Sequence, residues 1–384
     1  MRDLLGRTLR ANPAYELVLW DRLAPEERRA LDRLPHDPDF YGILRPGPDR
    51  SALGVKAVDR DTALLFLTLR EPGPLPSYVR SALGQAAGRT VARLIADGVL
   101  EIEKDGDFVW GPAALEVREA LANGGRLAEL SLAALRYGQA LAIDDPLRLS
   151  FRLYGYNRRP LTPRWRQLLP GAEAVQAHLG IAPGGAHRKL LDRTWRPSPP
   201  SEAWLSWRSR AAEPAADSGG GGVTWKLYVS PVPEALAEGF GAILEALAAA
   251  RAGQFKIGAE AAGLLRSDKI VAYFPTFERL EEAARAVESR LAGVPAQGVP
   301  FTSEIAGDGL VSWGMDPPVS ERDPWGSRES WRLWLTHRLA RALIAARGAG
   351  EEVEPWRYAV ERLRLEGIDP VSWTPAASQW SGRS

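Results

Sequence analysis

The run Ala211-Ala-Glu-Pro-Ala-Ala-Asp-Ser-Gly-Gly-Gly-Gly222 constrains this chain more than any other segment. It offers no apolar face for a helix or strand to bury, and it ends in consecutive glycines, so residues 208–222 are expected to be a flexible linker. The chain has 384 residues, enough for two or three cores, since domains usually span about 100–200 residues. The linker therefore predicts two differently built halves, with an independent domain over 223–384.

In the N-terminal half, residues 1–60 read as a helical segment. Over 61–112 the hydrophobic periodicity predicts helices at Thr62–Leu69, Pro76–Leu83 and Gly88–Asp97, then strands at Leu100–Lys104 and Asp107–Trp110. Asp105-Gly106 supplies the hairpin turn. This order resembles a winged helix-turn-helix, a scaffold that binds DNA or accepts a peptide as an added strand. A DNA reader needs several basic or amide side chains on its recognition helix, and Gly88–Asp97 offers Arg89 and Arg93 alone. A peptide-docking wing is the preferred expectation, with Arg89, Arg93 and Phe108 as candidate contacts; a plain folded spacer is the alternative. Residues 113–207 read as helical and irregular, with helices at Pro112–Asn123 and Leu127–Gly138. The aromatic and arginine mixture of Phe151–Pro160 suits a grip on a phosphate or an acidic peptide, and packing on itself by cation–π contact is the preferred expectation.

Beyond the linker, strand and helix patterns alternate. Strands are expected at Thr224–Ser230, Gln254–Gly258 and Lys269–Phe274, with short ones near Phe301 and Val311. Helices are expected at Pro231–Ala250, Phe277–Leu291, Trp325–Arg347 and Trp356–Leu365, the last ended by Gly367. The fold class is α+β: an antiparallel or mixed sheet with packed helices, preceded by a mainly helical N-terminal region with a winged-helix-like element.

Composition narrows the chemistry. The formal net charge is +1, so no global field recruits nucleic acid. There is no cysteine, which excludes disulfides and thiolate catalysis and suits a cytoplasmic protein. No apolar run reaches a membrane span, and the charged N-terminus does not read as a signal peptide. The four histidines show no metal spacing, and no phosphate-binding glycine loop or dinucleotide fingerprint is present, so neither metal nor cofactor is expected.

Of the 49 basic residues, Lys56, Lys104, Lys189, Lys226, Lys256 and Lys269 are the lysines; the rest are arginine. A lysine can lose its proton and act as a base where arginine cannot. Lys226 and Tyr228 stand two apart on one strand and so share a face. Lys256 sits between apolar residues that disfavour its ammonium form. Arg266 and Lys269 flank a turn. If these strands are neighbours, their cations converge, and a phosphate between them relieves the repulsion.

Trp225-Lys-Leu-Tyr-Val-Ser230, Phe255-Lys-Ile, Gly263-Leu-Leu-Arg-Ser-Asp-Lys-Ile-Val-Ala-Tyr273, Val299-Pro-Phe-Thr302 and Glu366-Gly-Ile-Asp-Pro370 together resemble the HopA-type effector family. The first two segments are also similar to the lyase domain of class III lanthipeptide synthetases and to phosphothreonine lyases. The resemblance covers residues 223–370. It implies a phosphoserine or phosphothreonine lyase in the maturation of a ribosomal, lanthipeptide-like peptide, with a phosphorylated precursor peptide as partner and a separate kinase upstream. By motif, Lys226 matches the first lysine of a Lys-x-His pair, Lys256 the general base and Arg266 a phosphate arginine. Lys269 is added as a further phosphate ligand. Tyr228 stands in place of the histidine that protonates the leaving phosphate, and a phenol is a weaker acid. Arg322 and Arg328 are candidates for the later phosphate arginine. The alternative is a noncatalytic scaffold that holds precursor peptide for a kinase or cyclase; a transcriptional regulator rests on the winged pattern alone.

Overall fold

The computed structural model describes residues 4–31, 39–115, 124–199, 201, 203–211, 224–317, 329–349 and 353–375. The chain divides into two compact units, one of residues 1–118 and 342–366, the other of residues 119–341 and 367–384.

The first unit carries more strand than its sequence suggests. Residues 1–60, expected to be helical, hold β1 (Leu9–Ala11), β2 (Tyr15–Leu19), β3 (Phe40–Pro46) and β4 (Lys56–Asp59), with a short α-helix at Pro25–Ala30 and 3-10 turns at Leu4–Gly6, Trp20–Arg22 and Pro48–Leu53. β2, β3 and β4 form an antiparallel sheet. β1 and β4 are short, and β3 buries three consecutive residues, Gly42–Leu44, so no alternating pattern registers; aromatic and branched residues such as Tyr15, Val18, Tyr41 and Ile43 settle these strands by cross-strand packing. Helices Arg60–Thr68, Ser77–Leu83 and Ala87–Ala96 follow, then β5 (Leu100–Lys104) and β6 (Asp107–Val109), the helix and hairpin order expected there. Asp105 and Gly106 both take positive φ at the hairpin turn. β1 adds to β5, giving the order β1-β5-β6. Val91, Leu94 and Ile95 of the third helix bury against this sheet's core. Of the helix expected at Pro112–Asn123, residues 111–113 form a single 3-10 turn and 116–123 lie outside the described residues.

The second unit is built on a seven-stranded antiparallel sheet. Its strands are β7 (Trp195–Pro197), β8 (Trp204–Ser209), β9 (Trp225–Val229), β10 (Gln254–Gly258), β11 (Ile270–Phe274), β12 (Ser303–Glu304) and β13 (Val311–Met315), in the order β12-β13-β9-β11-β10-β8-β7. Helix Pro233–Ala249 packs on one face through Leu236, Phe240, Ile243, Leu244 and Leu247. Helix Phe277–Arg290 joins it through Leu280, Ala283, Ala284 and Val287, both apolar sets recurring at helical spacing.

The expected domain boundary at 208–222 does not hold. β8 precedes that segment, yet it pairs with β10 from Trp204↔Gly258 to Arg208↔Gln254. The sheet therefore takes strands from both sides of the glycine run, and the division falls at residue 118/119 instead. β7 and β8 also replace the irregular structure expected at the end of 113–207. Their tryptophans Trp195 and Trp207 are buried against Phe255 at ring separations of 5.0 Å. Lone aromatic residues in a Pro- and Ser-rich stretch became strand by completing that core.

Candidate functional site

The functional face follows from register, because residues opposite one another in an antiparallel pair share a side of the sheet. Lys226 lies opposite Tyr273 on β11 and Gly314 on β13. Tyr228 lies opposite Val271 and Ser312. Lys256 lies opposite Val271 and Ser206. One face therefore carries Lys226, Tyr228, Tyr273, Lys256 and Ser206. The alternate residues, Leu227, Val229, Phe255, Ile257, Ile270, Ala272 and Phe274, enter the core on the other side.

Lys256 has an unusual setting for a lysine. Its Nζ stands 4.3 Å from the Trp204 ring centroid and 5.8 Å from that of Tyr273. It makes no hydrogen bond or ion pair among the described residues. Burial first, and then the charge of Lys226, bring its pKa down to about 8. A substantial fraction of this amine is thus neutral in mildly alkaline solution. Lys226 is differently placed: buried at 7% exposure, it is ion-paired with Asp316 and lies 5.7 Å from the Tyr273 ring.

Arg266 belongs to a polar cluster anchored on Asp268. Its Nε donates to Asp268 Oδ1 at 2.8 Å, and its Nη2 donates to Asp268 Oδ2 at 3.0 Å and to the Tyr154 hydroxyl at 3.2 Å. Arg332, 1% exposed, donates from Nη1 to Asp268 Oδ2 at 2.9 Å, from Nε to the Pro300 carbonyl and from Nη2 to the Tyr154 carbonyl. The Tyr154 hydroxyl donates to Asp268 Oδ2 at 2.8 Å. Burial alone would raise the Asp268 pKa; Arg332 and Arg266 outweigh it and hold the carboxyl well below the usual range. Burial and the adjacent carboxylate push the Tyr154 hydroxyl up to about 12. The Arg266 guanidinium also lies 4.9 Å from the Trp204 ring, so Trp204 contacts both Arg266 and Lys256.

The structure thus gathers Lys226, Tyr228, Lys256 and Arg266, and it separates Lys269 from them. Lys269 is fully buried, and its Nζ donates to the Pro231 carbonyl at 2.8 Å and to Gln297 Oε1 at 2.7 Å. Gln297 in turn donates to the carbonyls of Asn157 and Leu265. Lys269 ties these loops together, with its pKa brought down to about 7 by burial. A phosphate ligand needs an accessible ammonium, so the expected phosphate role of Lys269 is replaced by a structural one. Tyr228 shares the face but is 3% exposed, and burial pushes its pKa well above that of a free phenol. That setting weakens it further as a proton donor. Arg322 and Arg328 lie outside the described residues.

In the first unit, the Arg10 guanidinium covers the Phe108 ring at 3.9 Å. Arg93 is exposed and lines a cavity of about 340 Å³ with Lys56, Asp59, Thr62 and Asp97. Arg89 is half-buried on the same helix. β6, which carries Phe108, is an edge strand.

Sequence reading missed Asp268, Arg332, Tyr154, Asp316 and Trp204. Asp268 stands two residues from Arg266 inside a segment already singled out, which was the available signal. Tyr154 lies within Phe151–Pro160, whose aromatic and arginine mixture was a signal of the same kind, whereas Arg332, Asp316 and Trp204 arrive from distant segments and nothing local marks them.

No family model matches the chain, and no curated protein matches it. Among solved structures, the effector protein from Pseudomonas syringae pv. syringae strain 61 matches 65% of this chain and 99% of its own, at 11% identity and a TM-score of 0.39. The effector from Pseudomonas syringae pv. tomato strain DC3000 matches 65% and 98%, at 10% identity and a TM-score of 0.38. The type III effector and phosphothreonine lyase OspF from Shigella flexneri matches 32% and 69%, at 12% identity and a TM-score of 0.25. These likenesses are distant, so the chemistry of this chain is read from its own side chains. Among the described residues no helix is long and apolar enough to cross a membrane, and no group of acidic or imidazole side chains is arranged to hold a metal ion.

Proposed function

We propose that the strand face binds a phosphoserine or phosphothreonine side chain of a peptide and that Lys256 removes its α-proton, eliminating phosphate. The observation that carries this reading is Lys256 itself: an amine with a pKa brought down to about 8, held over Trp204 without a carboxylate partner, beside Lys226 and Arg266. A base must be unprotonated and within reach of its proton, and a lysine neutralised by a carboxylate would be neither.

In the step proposed, the Cα–H bond breaks and its proton passes to Lys256 Nζ. The electron pair becomes the Cα–Cβ double bond as the Cβ–O bond breaks, and the phosphate leaves with the bonding pair. A substrate bound as the phosphate monoanion departs as hydrogen phosphate, so the balance needs no additional acid. The product is dehydroalanine from serine or dehydrobutyrine from threonine. Lys226 and the Arg266 Nη1, which is not committed to Asp268, stabilise the charge on the departing phosphate. The HopA-type resemblance supports a ribosomal precursor peptide as the substrate. A separate kinase would supply the phosphate, since the sequence has no nucleotide loop of its own. β6 in the first unit offers an edge to which an extended segment of that peptide could add.

A second reading, a noncatalytic phosphopeptide-holding scaffold, is favoured by the sealed Tyr228 and by the carboxylates already paired with Lys226 and Arg266. Incubation of the full chain with phosphothreonine peptides, followed by mass spectrometry, separates the two. Loss of phosphoric acid supports the lyase, whereas binding without loss, with kinase and precursor present, supports the scaffold.

A further inference from the structure

The charged face of the sheet does not end at Lys256. Register carries it on to β8 and β7: Ser206 lies opposite Lys256, Arg208 opposite Gln254, and Arg196 opposite Arg208. The alternate residues Trp195 and Trp207 are in the core, so Arg196 and Arg208 must lie on the Lys256 side. Both are exposed, and neither side chain makes a hydrogen bond or ion pair among the described residues.

Two arginines directly opposite on neighbouring strands repel one another, a placement that costs stability unless an anion lies between them. Elsewhere on this face Lys226 is answered by Asp316 and Arg266 by Asp268. The Arg196 and Arg208 pair has no such answer. Its location relative to Lys256 follows from sheet spacing: Arg208 is one strand over and two residues along, at a Cα distance of about 8 Å, and Arg196 is about 12 Å away. An extended peptide advances about 3.3 Å per residue, so a residue two to four positions from the one at Lys256 reaches this pair.

We propose that Arg196 and Arg208 form a subsite for an acidic side chain of the substrate peptide, two to four residues from the phosphorylated serine or threonine. The inference rests on the phosphopeptide reading of the Lys256 face and adds its sequence preference. Guanidinium groups pair with carboxylates in bidentate geometry, and an aspartate, a glutamate or a second phosphorylated residue all present the required oxygens.

The test is fluorescence anisotropy with the full chain and a set of labelled phosphothreonine peptides. Each peptide carries one glutamate at a position from one to five on either side, in an otherwise alanine background. A glutamate at two to four positions should tighten binding at least about threefold over alanine in wild type, consistent with a partly exposed charge pair. Arg196→Ser/Arg208→Ser should abolish that preference while binding the alanine peptide as wild type does. Arg196→Glu/Arg208→Glu should shift preference to a lysine at the same position. An unchanged glutamate preference in both double variants, or none in wild type, overturns the subsite and leaves the phosphate site standing. Failure of every phosphopeptide to bind overturns both.

Discussion

The two faces of the seven-stranded sheet share the same strands and follow opposite rules. On the helix side, Phe255, Ile257, Ile270 and Phe274 are buried in an apolar core. On the other side the same strands present Lys226, Tyr228, Lys256 and Tyr273, and burial moves the proton affinities of Tyr228, Lys256 and Tyr273. Alternation alone sets this contrast, so a one-residue slip of β10 would exchange Lys256 for Phe255 and destroy core and site together. Within the polar face a second difference appears. Lys226 and Arg266 are neutralised by Asp316 and Asp268, whereas the buried Lys256 is held by aromatic rings alone. A cation without a counter-charge is ready for a substrate, and paired cations hold the geometry around it.

The strongest way to break this contrast is Lys256→Arg, which keeps the charge and removes the base. Elimination should fall by roughly 10²–10⁴-fold, as expected for loss of a general base, with phosphopeptide affinity retained. Mass spectrometry of the peptide and a parallel binding titration read the two effects. Wild-type kcat at saturating phosphopeptide should rise with pH as Lys256 loses its proton, its pKa being brought down to about 8; a kcat flat between pH 6 and 9 would remove the base assignment.

Next in size is Asp268→Ala, which leaves Arg332 buried without its counter-charge. Stability should drop by about 3–5 kcal/mol, read as a lowered denaturant midpoint. The pH sign follows from linkage. The folded-state pKa of Asp268 lies below its unfolded value of about 3.9, so the contribution is present above that pH and lost as pH falls through the folded pKa. Asp268→Asn should be less stable than wild type at neutral pH and should show less of this acid dependence.

Lys226→Ala and Arg266→Ala should each weaken phosphopeptide binding by about 1.5–3 kcal/mol. The lower end is expected for Lys226, because a phosphate must first displace Asp316. The smallest effect expected is that of Tyr228→Phe. A buried phenol with its proton held tightly contributes little to a leaving group, so turnover should change hardly at all. A large loss of turnover with affinity intact would restore Tyr228 as the proton donor.

The sequence made the cations of β9 and β10 legible because strand period fixes faces without tertiary information, and a rare lysine in an arginine-rich chain is conspicuous. It left their partners hidden. Asp316 and Arg332 reach the site from a strand end and a helix whose own patterns encode only burial. Lys269 shows the opposite error: a lysine at a strand start has the same pattern whether it faces solvent or clamps Gln297. The helix expected at Trp325–Arg347 is described over Trp331–Ala346, and Gly367 ends Pro355–Leu365 at φ 87° as glycine at that position should. Strands β1 to β4, by contrast, depend on pairing across the chain, which local propensity does not carry.

The pairing of β8 with β10 changes what the glycine run can do. β8 and β9 are joined through residues 210–224 but are separated in the sheet by β10 and β11. The joining segment therefore crosses three strand spacings, about 14 Å, while the sheet on either side of it is sealed by backbone hydrogen bonds and a shared core. A protease that cut within 212–223 would leave two polypeptides interlocked as one particle, with Trp204 contributed by one piece and Lys256 and Tyr273 by the other. Expressed alone, the C-terminal piece would present β10 as a bare edge open to strand addition by another chain. The two pieces mixed should recover the site by complementation.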